Sequence, residues 1–205
     1  MKKSLIVAAF ASALSLVNDV RADDGEWAWS PLGLGLCAPV QMPFAASDVY
    51  GLRLGGFYGA HADVEGLDVS LVGAQENLVG VQFAAVGLAH FSAVGFQAAL
   101  AVIDTAFTGF QVAALNWNNA DSAGVQFAVA NANQSDFTGW AAGALNASLN
   151  FTGCQLGVFN FADELTGCQL GVVNATQRLN GLQVGLLNLV CESNLPIMVI
   201  ANAGF

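Results

Sequence analysis

Positive charge is almost missing from this chain. Five Lys and Arg stand against fifteen Asp and Glu, a formal −10 over 205 residues. Three of the five bases, Lys2, Lys3 and Arg21, fall in the first 22 residues, together with Asp19. Without that segment two bases, Arg53 and Arg178, face fourteen acids, about −12. Such a surface repels phosphates and offers no basic stripe, which excludes nucleic acid as a partner.

Titratable chemistry is equally thin. The only two histidines, His61 and His90, lie between strand-like segments and read as solvated turn residues. The four cysteines, at 37, 154, 168 and 191, match no zinc spacing and have no histidine beside them. Neither a metalloprotease helix motif, nor a phosphate loop, nor a nucleophile elbow occurs, and Gly33-x-Gly35 is only a glycine pair in a strand. The acids Asp104, Asp121, Asp136, Asp163 and Glu164 recur near the turns but shift column from unit to unit, unlike a calcium array, and read as solubilising. The sequons at Asn133, Asn146, Asn150 and Asn174 read as coincidence in a chain rich in Asn and Thr. The expectation is a protein that is not an enzyme, with no catalytic residue, cofactor or metal.

Charged residues make up 10 % of the chain, against about a quarter in ordinary domains, and apolar residues 55 %. Part of that apolarity is a leader: Lys2-Lys3, an apolar run over residues 4–17, and the small-residue site Val20-Arg21-Ala22. Residues 1–22 thus read as an export signal, with the mature chain starting at Asp23.

The rest is repetition. Glycines at 51, 66, 80, 95, 109, 124, 139, 153, 167 and 181 open ten units of 14 or 15 residues. The clearest unit begins Gly167-Cys168-Gln169-Leu170-Gly171-Val172-Val173-Asn174. Positions two, four and six are apolar, and Gly, Gln and a small residue alternate with them, a strand period of two. Gln fills position three at Gln82, Gln97, Gln111, Gln126, Gln155, Gln169 and Gln183. Asn fills position eight at Asn116, Asn131, Asn146, Asn160, Asn174 and Asn188, and is expected to take a left-handed backbone where each strand turns. Arg53 and Asp68 replace Gln in successive units, so an ion pair is expected on that face. The organisation is a leader (1–22), a lead-in with a first strand at residues 32–41 (23–50), the repeats (51–194) and a terminal strand (195–205).

Two all-β stackings fit. The favoured one is an antiparallel outer-membrane barrel of roughly twelve strands. Each face of a unit is nearly palindromic, so one repeat serves strands running either way. The barrel gives the apolar column to lipid and the Gln column to a polar, pore-like interior. Its last strand places Ile197, Val199, Ala201, Ala203 and Phe205 on one face, and Phe205 looks like a terminal assembly signal. Outer-membrane lipid and the barrel-assembly machinery are then the expected partners. The alternative is a parallel β-solenoid of about ten coils, secreted or at the cell surface, binding a partner through its Gln/Gly face. Against it stand a thin core, apolar residues at position seven and no obvious C-terminal cap. The two differ at Cys154 and Cys168: an antiparallel hairpin holds them roughly 10 Å apart, and parallel coils roughly 4.8 Å, within bridging range. The barrel therefore predicts no crosslink.

The Gly-x-Gln-x-Gly-x-x-Asn unit, as in residues 153–160, 167–174 and 181–188, resembles the bacterial surface repeat-containing protein family. The lead-in Val49-Tyr50-Gly51-Leu52-Arg53-Leu54 and the segment after Leu195-Pro196 are similar too, so the likeness covers residues 45–205. It implies an envelope or surface location with no assigned chemistry.

Overall fold

The computed structural model describes residues 29–37, 40–42, 48–57, 59–193 and 195–204. The leader segment 1–22 and Phe205 lie outside them, as does the chemistry expected of each. The strands are β1 (Trp29–Cys37), β2 (Val40–Met42), β3 (Asp48–Gly55), β4 (Gly59–Ala98), β5 (Ala101–Asn118), β6 (Ser122–Val190) and β7 (Ile197–Gly204). They form one sheet in the order β2-β1-β3-β4-β5-β6-β7.

Direction and register decide the architecture. β3 runs parallel to β4 with Gly51 opposite Gly66 and Arg53 opposite Asp68. β4 runs parallel to β5 with Gly95 opposite Gly109 and Gln97 opposite Gln111. β5 runs parallel to β6 with Gly109 opposite Gly124 and Asn116 opposite Asn131. Equivalent positions of successive units therefore sit directly above one another, one unit per coil. The chain is a parallel β-solenoid, and the antiparallel barrel is overturned. The 40-residue β4 and 69-residue β6 are continuous ribbons that bend through several coils. Coils of 14 and 15 residues stack because bulges absorb the difference, as between Ala89 and Ser92.

The first position of each unit shows why parallel stacking wins. All ten glycines adopt φ between 130° and 145°, a backbone that side chains disfavour. From Gly66 to Gly181, a Cβ would strike the carbonyl oxygen of the glycine one coil before. A membrane barrel strand has no use for that column; the coil needs it on every rung. The left-handed turn expected at position eight is absent: the Asn side chains point inward from extended backbone, and among the described residues only Ile200 is a non-glycine with positive φ.

The core is thin, as a 14-residue coil dictates, and is filled in two ways. A column two residues before nearly every unit glycine supplies apolar bulk, including Val49, Val64, Leu78 and Phe107 in one cluster and Phe137, Phe151 and Leu165 in another, with Ser122 the polar exception. Ala141 takes the place of Gln at position three, and the stacked rings of Phe137 and Phe151, 5.3 Å apart, belong to the same cluster. Flat amides fill the rest. β7 closes the C-terminal end by pairing antiparallel with the last coil, Gln183 opposite Asn202. This supplies the cap that the sequence seemed to lack. Position seven does face outward, with Leu145 and Phe159 exposed.

Cys154 and Cys168 form a disulfide between adjacent coils with Cα atoms 4.7 Å apart, which corrects the expectation of no crosslink. Stacking in register brings the Cβ atoms together as a hairpin cannot. Peptide mapping without reductant is expected to recover the Cys154–Cys168 crosslink, with exposed Cys191 alkylated. Quantitative recovery of Cys154 and Cys168 as separate alkylated thiols would speak against parallel stacking.

Candidate functional site

The polar columns point inward. Gln82, Gln97, Gln111, Gln126, Gln155, Gln169 and Gln183 are all at most 1 % exposed. Each amide hydrogen-bonds along the axis: Gln111 Nε2 donates to Gln97 Oε1 (2.9 Å), Gln126 Nε2 to Gln111 Oε1 (2.8 Å) and Gln183 Nε2 to Gln169 Oε1 (2.8 Å). A Gln offers donor and acceptor at opposite ends of a short fork, so identical copies one coil apart satisfy each other. Each such bond contributes about 1 kcal/mol net, and burying an amide unpaired costs about 1–3 kcal/mol. The expected partner-binding Gln/Gly face is thus corrected: it is interior, and no partner can reach it.

The Asn column works in the same way. Asn131 Nδ2 donates to Asn146 Oδ1, Asn146 Nδ2 to Asn160 Oδ1, Asn160 Nδ2 to Asn174 Oδ1 and Asn174 Nδ2 to Asn188 Oδ1, each at 2.8 Å. The same nitrogens also reach a strand carbonyl of the next coil, as Asn146 does to Leu156 O at 2.9 Å. Gly157, Gly171 and Gly185 at position five leave the room: a Cβ there would crowd these amides.

A third column, at position ten, was missed in the sequence. It runs through Gln75, Asp104, Asn118, Asn133, Ser148 and Thr176 and faces the Gln column across the coil. Asn133 Nδ2 donates to Gln126 Oε1 at 3.1 Å, seven residues away. The signal was partial, a polar residue seven after four of the seven Gln, and it has meaning only once the coil closes.

Two buried charge sites break the amide pattern. Arg53 and Asp68 are brought together on successive coils, Nη1 3.5 Å from Oδ2, with both side chains at most 1 % exposed. Arg53 also donates to Gln75 Oε1 (3.0 Å), and Asp68 Oδ2 accepts from Gln82 Nε2 (2.8 Å). Asp104, read as a turn acid, is fully buried and corrects that reading. Its Oδ1 accepts from Ala89 N (3.1 Å) and Gln97 Nε2 (3.4 Å), and its Oδ2 from Gln111 Nε2 (2.9 Å). Burial without a cation pushes its carboxyl up to about 8, against the opposing pull of those donors. His61 is likewise buried rather than solvated, and His90 half-buried.

The other acids sit on the outer turns and are held by neighbours one coil away. Asn150 donates to Asp136 (2.6 Å) and Gln177 to Asp163 (2.8 Å), while Arg178 pairs with Glu164 and Glu192. Among the described residues, no group of three or more His, Cys, Asp and Glu is gathered as metal ligands would be. An open cleft of about 410 Å³ at the C-terminal cap is bordered by Arg178, Glu192, Asn202 and Gly204.

What the solenoid offers to other molecules is the opposite side of the Gln strand. Positions two, four and six of the units point outward, and they are apolar throughout: Leu54, Phe83, Val129, Trp140, Val172 and Leu186 are all exposed. Comparison with family models, with curated proteins and with solved structures finds no match.

Proposed function

We propose that this chain is a non-catalytic, exported protein of the bacterial envelope or cell surface, a rigid solenoid that works by presenting one apolar sheet face. One observation carries this reading: the polar side chains of the Gln strand are spent inside on one another, and its accessible side is apolar along its length. A catalyst needs an accessible group of tuned basicity, and the carboxyl pushed furthest from its ordinary range among the described residues, Asp104, is sealed in the core. Export is supported by the basic start, apolar run and small-residue site of residues 1–22, and the cell-surface location by the resemblance of the repeat. The disulfide between Cys154 and Cys168 suits an oxidising compartment.

Expression in a Gram-negative host followed by fractionation tests this. The expected result is a chain whose mass places its N-terminus at Asp23, outside the cytoplasm, with an electrophoretic mobility that boiling does not shift in the manner of a barrel. A full-length chain retained in the cytosol would defeat the export reading.

A further inference from the structure

Positions two, four and six of the ten units supply thirty residues, and every one is apolar or glycine. Phenyl rings form a ridge along part of this face, with Phe96, Phe110 and Phe127 separated by 5.6 and 5.5 Å. Ten rungs at about 4.8 Å and seven residues at about 3.3 Å make it roughly 43 by 20 Å, or about 850 Å². Monomeric proteins rarely expose a contiguous apolar patch beyond about 600 Å². Parallel sheets, moreover, are normally covered on both faces.

We propose that this face is closed by the same face of a second copy, giving a two-fold, sheet-on-sheet dimer. The proposal rests on the reading above that the outer face is the working surface. Three observations select this occupant. The area matches the roughly 800 Å² that each partner contributes to a standard stable interface. Both faces are built on the same parallel ladder, so their side-chain ridges share one spacing of about 4.8 Å and interdigitate along the whole length. The third is charge. No charged residue stands among the thirty, so pairing strands no ion. Among the described residues the one exposed base, Arg178, sits on a turn column with Glu164 and Glu192, so nothing draws the apolar face to anionic lipid headgroups. A two-fold axis uses the face once on each copy and ends the assembly at two.

Sedimentation equilibrium on the purified exported chain is the test. The wild type is expected at twice the chain mass, dissociating on dilution. Val129, on the sixth of the ten rungs and 65 % exposed, can take a charge without disturbing the core. Val129→Glu is expected to weaken association by about a hundredfold or more with an unchanged circular dichroism spectrum. Gln177→Glu, on the turn column, should leave the dimer intact. Flotation with neutral phosphatidylcholine and with anionic phosphatidylglycerol vesicles accompanies the series. A wild type still monomeric at about 100 µM overturns the proposal, since any Kd would then be weaker than about 100 µM, an association of less than about 5.5 kcal/mol. So does a monomer that floats with either vesicle, which makes the face a lipid surface, or a species larger than two. Should Val129→Glu fail to fold, the wild-type dilution series and Val172→Glu decide the same point. A dimer in a chain that is not exported would sink the envelope reading alone; an exported monomer would sink this one alone.

Discussion

Replacing Gly124 by Ala is expected to destroy the middle of the solenoid, although the change adds a single methyl group. Gly124 has φ 133°, and a Cβ there would collide with the carbonyl oxygen of Gly109 on the preceding coil. Strain of about 1–3 kcal/mol for the backbone alone comes first. The collision adds to it, because neither side has slack: Gly139 is packed on Gly124 from the next coil in the same way. A total on the order of 4 kcal/mol or more is a large share of the roughly 5–15 kcal/mol that holds a domain together. In a stacked array, each coil is supported only by its neighbours, so the damage spreads along the axis. Limited proteolysis should cut Gly124→Ala within residues 105–140 under conditions that spare the wild type. Ala128→Gly in the same coil is the control, with a cost of about 1 kcal/mol. If Gly124→Ala resists protease as well as Ala128→Gly does, the glycine column is not what sets the coil.

That column also shows how much of the fold is legible in the sequence. The unit length, its phase and its strand period were plain, because glycine recurs every 14 or 15 residues and apolar side chains alternate from it. Strand direction was not. A period of two says that neighbouring residues point to opposite sides, and a palindromic unit such as residues 165–174 reads alike from either end. What the Gln side meets was not legible either: water was expected there, in a barrel's lumen or on a solenoid's binding face, for the same reason. Lipid makes a plausible home for Leu170 and Val172, and water a plausible one for Gln169, unless Gln155 and Gln183 stand one coil away to complete its hydrogen bonds. The cysteines carried the missing information. Cys154 and Cys168 share one column, and only parallel stacking joins them. The position-ten column stayed hidden because its role depends on a contact across the closed coil. Asp104 looked like one turn acid among several, and nothing local marks it as the one whose neighbours shut out water.

Asp104 is therefore where the second large effect is expected. In the unfolded chain its carboxyl titrates near 3.8; in the folded chain burial raises it to about 8. Between those values the native state holds a proton that the unfolded state has lost, so stability must fall as pH rises. The contribution is fully present below about pH 4 and lost as the pH passes 8, when the folded core has to keep an anion with no cation beside it. Four units of separation at about 1.4 kcal/mol each put the loss on the order of 5 kcal/mol. Asp104→Asn removes the titration while keeping the shape. The site tolerates an amide, since Asn118 and Asn133 occupy the same position on the next two coils and hydrogen-bond to each other at 3.0 Å. Urea unfolding followed by the fluorescence of Trp117, on the adjacent coil, is expected to give similar midpoints for the two proteins at pH 4. At pH 9 the variant should be the more stable by several kcal/mol. Curves that stay parallel from pH 4 to 9 would mean that Asp104 reaches solvent and that the polar core is not sealed.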